Sequence, residues 1–155
     1  MKIVISGASG LIGTQLVAKL STSGHEVVRL VRRSPKPGEI QWNPKSGTLD
    51  TAALEGVDAV IHLSGAGIGD KRWTAGYRKE ILDSRTTTTA LLAKTIASLS
   101  RKPSVFLSGS AIGIYGARND EQLTEVSTHG TGFLAEVCEQ WEAAAKPAVD
   151  AGIRT

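Results

Sequence analysis

The sequence predicts an α/β fold, a doubly wound parallel sheet with helices on both faces. Three observations predict it. Short apolar runs alternate with segments of helical spacing, glycines cluster where strands hand over to helices, and aromatic residues are few. Ile3 to Ser6 is an apolar run that ends in Gly7 and reads as a buried strand. Leu11 to Leu20 follows as a helix, with Leu11, Ile12, Leu16, Val17 and Leu20 as its core positions and Gly24 as its C-terminal cap. Glu26 to Val31 is a second strand. Ser34 to Pro44 contains three prolines and reads as loop, with a short strand over Glu39 to Trp42. Ala52 to Glu55 predicts a helical turn, and Asp58 to Ser64 a further strand that ends at Gly65-Ala66-Gly67. A long helix is expected over Thr74 to Ser100, with Ile81, Leu82, Leu91, Leu92, Ile96 and Leu99 inward. Ser104 to Ser108 is the next strand and Gly132 to Ala145 the next helix, which Pro147 should end or kink. Right-handed crossovers between parallel strands leave few topologies for this order.

Composition excludes several classes of function. The 155 residues suffice for one domain with a real core. A net charge of +3, spread along the chain, makes no basic stripe for nucleic acid. The single cysteine rules out an internal disulfide framework and suits a reducing compartment. No signal-like segment precedes the first strand, and no apolar run approaches the ~20 residues of a membrane-spanning helix. These features predict a soluble cytoplasmic domain without nucleic-acid or membrane partners. Asp150 to Thr155 follows a helical stretch and stops where another strand begins, so the chain is expected to be a fragment of a longer protein, its substrate domain absent.

The loop Gly7-Ala8-Ser9-Gly10-Leu11-Ile12-Gly13 lies between the first strand and the first helix. Gly7 permits the tight turn, Gly10 lets backbone approach a pyrophosphate, and Gly13 lets helix pack close to strand. A helix N-terminus there offers free amides and a positive dipole to an anion. The pattern belongs to a Rossmann dinucleotide-binding fold, with Gly7, Ser9, Gly10, Leu11, Ile12 and Gly13 as candidate cofactor contacts. A P-loop is excluded, since no Gly-Lys-Ser/Thr follows. At the end of the second strand, about 20 residues past the loop, an NAD enzyme carries a carboxylate for the ribose 2′-hydroxyl. This chain has Arg32 and Arg33, with no acid before Glu39. Guanidinium groups suit a 2′-phosphate, so the expected cofactor is NADP(H), read mainly by Arg32 with Arg33 sharing the role.

Further stretches carry a family resemblance. The G-x-x-G-x-x-G spacing resembles the extended short-chain dehydrogenase/reductase superfamily. The run His62 to Thr74 resembles an atypical subgroup within it, the NAD-dependent epimerase/dehydratase-like proteins of unknown substrate, some described as cell-division inhibitors. Trp42-Asn43-Pro44, Asp83-Ser84-Arg85, Ser108-Gly109-Ser110 with Tyr115-Gly116, and Phe133 to Glu142 resemble it too, so that the likeness spans essentially the whole chain. It implies cofactor contacts at Leu63 and Ser64, where the ends of strands form the ligand crevice, and at Glu80 and Arg85 on the long helix. It also implies an oxidoreductase or epimerase-like activity.

The chemistry departs from the superfamily's pattern of Ser, Tyr and Lys. Ser110 matches the serine, but the helix over Gly132 to Ala145 has neither tyrosine nor lysine. In the resemblance Leu134 and Cys138 take their places. Leucine transfers no proton, and a thiol of ordinary pKa, near ~8.5, is mostly neutral. Ser110, Tyr115 and Cys138 are therefore the catalytic candidates, and three readings stay open. Tyr115 acts as the acid from another direction, Cys138 is a buried packing residue, or the fold binds NADP(H) without chemistry, as a sensor or interaction protein. His25, His62 and His129 share no ligand spacing with Cys138, so no metal site is expected. Glu136, Glu139 and Glu142 read as one polar helix face.

Overall fold

A computed structural model describes all residues, 1 to 155. Six strands form one sheet: β1 (Lys2–Ser6), β2 (Glu26–Val31), β3 (Glu39–Asn43), β4 (Thr48–Leu49), β5 (Ala59–His62) and β6 (Val105–Ser108). Their spatial order is β4-β3-β2-β1-β5-β6. All neighbours are parallel except β3 and β4. The helices are α1 (Leu11–Thr22), α2 (Ala75–Ala97), α3 (Phe133–Ala143) and α4 (Lys146–Asp150), with single 3-10 turns at Ala52–Leu54 and Ile112–Tyr115.

Alternation along the strands divides the core between the two faces. Ile3, Ile5, Ala59 and Ile61 pack against Leu16, Val17 and Leu20 of α1. Val4, Val28, Leu30, Val60 and Phe106 point the other way, onto Leu92, Ala93 and Ile96 of α2 and Ala148 of α4. This is the doubly wound Rossmann-like arrangement expected from the sequence. The winding reverses at β1, which pairs with β2 on one side and β5 on the other. In such sheets the crevice at the carboxyl ends of those strands is where ligands bind.

The structure revises several expectations. Leu11 and Ile12 are not core positions, being 88% and 68% exposed. The first turn of α1 overhangs the end of β1, so the helix meets the sheet only from Gly13 and Val17 onward. Leu82 and Leu91 are only partly buried, while Ile81, Leu92, Ile96 and Leu99 are fully inside. The helix before Pro147 ends at Ala143, as expected, and Pro147 then sits in the first turn of α4, where a missing amide costs nothing. The two-residue β4 was not expected; it pairs with Trp42 and Asn43 through a turn held by Asn43 Oδ1, which accepts from the amides of Lys45 and Ser46. Beyond α4, Arg154 bridges to Val105 in parallel and its carbonyl accepts from Phe106 N at 2.8 Å. The closing residues thus lie beside β6 through a single parallel bridge, outside the six strands of the sheet. No helix is long and apolar enough to cross a membrane.

Candidate functional site

The turn from β1 to α1 is shaped by what its glycines touch. A Cβ on Gly7, which has φ +72°, would lie 2.6 Å from the Leu63 carbonyl carbon, and one on Gly13 would lie 2.2 Å from Gly7 O. Both positions are closed by the chain itself. Gly10 differs: its Cβ would meet nothing nearer than Gly7 O at 3.4 Å. Nothing inside the protein demands glycine there, and the bare backbone faces open space.

The first bond of α1 runs from Thr14 N to Gly10 O at 2.9 Å. The amides of Leu11, Ile12 and Gly13 find no acceptor within the chain. Gly10 caps the helix without a side chain, and the first turn holds no acid. Three free donors at the positive end of a helix dipole, beside a position bare of side chain, fit the pyrophosphate of a dinucleotide.

This turn forms one wall of a cleft of about 330 Å³. Leu63 lies beneath it, and Gly109, Ser110 and Trp141 form the far wall. The structure therefore brings the glycine loop, Leu63 and Ser110 together. Ser9 is exposed at the lip and Ser64 is half-buried beside Gly7. A larger hollow, about 620 Å³, lies along β3 and β4. Its acids are already engaged, Glu39 by Arg33 and Asp50 by the amides of Ala52 and Ala53, so the chemistry points to the smaller cleft.

At the far wall, Ser110 Oγ donates to Glu142 Oε1 at 2.5 Å. Glu142 is the site residue that sequence reasoning missed. Spacing along α3 groups it with Glu136 and Glu139, and only the fold brings residue 142 to residue 110. Glu139 instead meets His129, 3.0 Å away. Cys138 is buried and points its Sγ at Ala111 O, 3.6 Å away. Burial pushes its thiol up, away from the reactive thiolate. Tyr115 is half-buried at the end of the 3-10 turn after β6 and lies outside the residues that line the cleft.

Arg85 works as a clamp. Its Nη1 donates to Ala66 O and Ile81 O, both at 3.0 Å, and its guanidinium lies 5.1 Å from the Trp141 ring centroid. It thereby ties the loop after β5 to α2 and to the aromatic wall of the cleft. Burial lowers its pKa, yet a guanidinium stays charged. Ser84 Oγ accepts from Ala66 N and Tyr77 Oη donates to Gly67 O, fixing the same loop. Glu80 is exposed and meets Lys71 at 3.6 Å. Neither Glu80 nor Arg85 lines the cleft.

Beyond β2, Arg32 is exposed and has no side-chain partner, whereas Arg33 forms a bidentate pair with Glu39. No group of three or more His, Cys, Asp or Glu side chains is placed to hold a metal ion.

Known proteins resemble this chain along nearly its whole length. The chain is 42% identical over 153 residues to an epimerase family protein of Mycobacterium leprae, covering 98% of this chain and 49% of that protein. It is 34% identical to the human epimerase family protein SDR39U1 over 149 residues, covering 94% of this chain and 49% of the relative. The chain thus spans about half the length of the curated relatives it matches. Among solved structures, a nucleoside-diphosphate sugar epimerase from Corynebacterium glutamicum matches with a TM-score of 0.86 and 42% identity, over 99% of this chain and 32% of that one. Human SDR39U1 isoform 2, solved with NADPH, matches with a TM-score of 0.83 and 33% identity, over 94% of this chain and 48% of that one. Residues 3–135 match the family model for NAD dependent epimerases and dehydratases. On that match and these identities, the chain belongs to the NAD dependent epimerase/dehydratase family.

Proposed function

We propose that this chain is the nucleotide-binding part of an NADP(H)-dependent oxidoreductase or epimerase-like enzyme. The observation that carries the reading is a single cleft with three unpaired helix amides on one wall and Ser110 on the other. The amides and Gly10 hold the pyrophosphate, Leu63 and Ser64 border the dinucleotide, and Arg32 takes the 2′-phosphate. The human relative solved with NADPH supports the phosphorylated form, while more distant fold neighbours hold NAD. When bound, the nicotinamide supplies hydride exchange with a substrate carbon. In the oxidising direction the substrate hydroxyl would pass its proton to Ser110 Oγ as Ser110 passes its own to Glu142, and carbonyl reduction would run the same transfer in reverse.

A second reading is favoured by α3, which has no tyrosine or lysine, and by the burial that keeps Cys138 neutral. On that reading the protein binds NADP(H) without turnover, as a sensor or partner-binding module. Two measurements on the full-length protein separate the possibilities. In nucleotide titrations, Arg32→Ala should weaken NADPH about tenfold or more and leave NADH unchanged, as expected for a lost charge-assisted contact. Equal affinity for both nucleotides in both proteins would overturn the choice of NADP(H). Absorbance assays with NADPH and a panel of carbonyl compounds test the chemistry; turnover lost in Ser110→Ala supports the enzyme, and silence across the panel supports the binding module.

A further inference from the structure

The cations after β2 are not equivalent. Arg33 Nη1 and Nη2 donate to the two oxygens of Glu39, each at 2.7 Å, and Nη1 also donates to Ser34 O at 2.9 Å. The Lys36 amide donates to Glu39 Oε2 at 2.8 Å. The Glu39 side chain is only 7% exposed, at the first position of β3, where the ladder sets it opposite Arg29. Its carboxylate is therefore fixed from the strand side, and the arginine is the partner that reaches it. Arg32, one residue earlier, has nothing to hold it.

The fork that Arg33 presents to Glu39 is the fork a phosphate would need. To grip a nucleotide, Arg33 must first give up a bidentate carboxylate, exchanging one anion for another with little net gain. A 2′-hydroxyl carries no charge and enters no such competition. The geometry points to Glu39 as a specificity-determining residue that holds Arg33 out of nucleotide recognition, leaving Arg32 alone to read the 2′-phosphate and so limiting the preference for NADP(H) over NAD(H). This rests on the proposed NADP(H) reading and goes beyond it, because it assigns opposite roles to adjacent arginines.

Titration of the full-length protein with NADPH, NADH and adenosine 2′,5′-bisphosphate tests it. Glu39→Gln keeps the side-chain shape and the Oε2 acceptor for Lys36 N, but removes the negative charge and turns an amide toward Arg33 Nη2, so the bidentate hold on Arg33 is lost. NADPH and the bisphosphate should then bind about tenfold tighter, the scale of one freed charge-assisted pair, with NADH changed less than about twofold. Arg33→Ala in the otherwise unchanged protein should leave NADPH affinity within about twofold, unlike Arg32→Ala. The double variant Glu39→Gln/Arg33→Ala should return to wild-type affinity, the signature of coupling between the two sites. Unchanged NADPH affinity in Glu39→Gln, or a tenfold loss in Arg33→Ala, overturns the inference while leaving NADP(H) binding intact. If the wild-type protein binds neither NADPH nor the bisphosphate, the cofactor reading falls, and the inference with it.

Discussion

The sequence assigns Gly10 and Gly13 different tasks, and the chain around them makes correspondingly opposite demands. An added methyl at residue 13 would sit 2.2 Å from Gly7 O and 2.9 Å from the Ala8 Cα, both backbone atoms that cannot swing aside. Gly13→Ala should thus destabilise the fold by roughly 1–3 kcal/mol, the usual cost of overpacking, and show it in urea unfolding. At residue 10 the nearest atom would be 3.4 Å away, and the backbone φ of −76° suits any residue. Gly10→Ala should therefore keep wild-type stability but, on the proposed cofactor reading, lose about tenfold or more in NADPH affinity, because its methyl enters the space proposed for the pyrophosphate. Equal stability and equal affinity in both variants would refute the division. The glycines were legible because a turn between strand and helix constrains backbone locally. Glu142 was not, since its contact with Ser110 spans 32 residues and depends on how α3 lies against the end of β6. If that contact manages a proton, Glu142→Gln should lower turnover about 100-fold, the scale of general acid–base assistance, with NADPH affinity unchanged. A substrate found with the carbonyl panel allows the comparison, and full activity in Glu142→Gln would reduce the contact to a structural one.

At the scale of elements, α2 shows how a weakly amphipathic helix is put to use. Thr74 caps it by accepting from Tyr77 N at 3.2 Å, and its interior threonines Thr88 and Thr89 are buried. Its Arg85, which the family resemblance implies as a cofactor contact, lies against Trp141 of the cleft wall. There it joins the loop after β5, the carbonyl of Ile81 and the Trp141 ring. Arg85→Lys keeps the charge but cannot make the forked, stacked contact. It should loosen residues 65–67, seen as faster amide exchange there, and weaken NADPH several-fold through Leu63 and Ser64 rather than through lost charge. Exchange rates identical to wild type would show that Arg85 does not hold this loop. The strands and long helices were readable from periodicity alone, because burial on one or two faces imposes it. The edge strand β4 was harder: its two residues are too few to show any alternation, although the strand β3 beside it was readable between its prolines. The first turn of α1 misled for the reverse reason, since Leu11 and Ile12 keep helical spacing where there is no sheet beneath them.

Across the whole molecule, His62 joins both halves of the sheet to α2. It lies on β5 beside β1, with Nδ1 2.5 Å from Ser6 Oγ and Nε2 3.0 Å from Thr88 Oγ1. Thr88 spends its single proton on the backbone, 2.6 Å from Ser84 O, so it must accept from His62 Nε2–H, and Ser6 must donate to the bare Nδ1. Both ring nitrogens are thus satisfied in the neutral form, and the Trp42 ring lies edge-on at 6.2 Å. Burial lowers the pKa of His62 from 6.5 to about 4. The unfolded chain therefore binds one more proton than the folded one between these values, so stability falls as pH drops through 6.5 and the loss is complete only below about 4. From pH 7.5 to pH 5 this amounts to about 2 kcal/mol at most, by linkage. Urea unfolding of wild type and His62→Gln at the two pH values isolates it, because the other titrating groups are common to both proteins. The variant is expected to be less stable at pH 7.5, having lost a satisfied buried contact, but to lose less on acidification. Parallel pH dependence in the two proteins would mean that His62 accepts a proton in the native core, and that the link between β1, β5 and α2 does not depend on its neutrality.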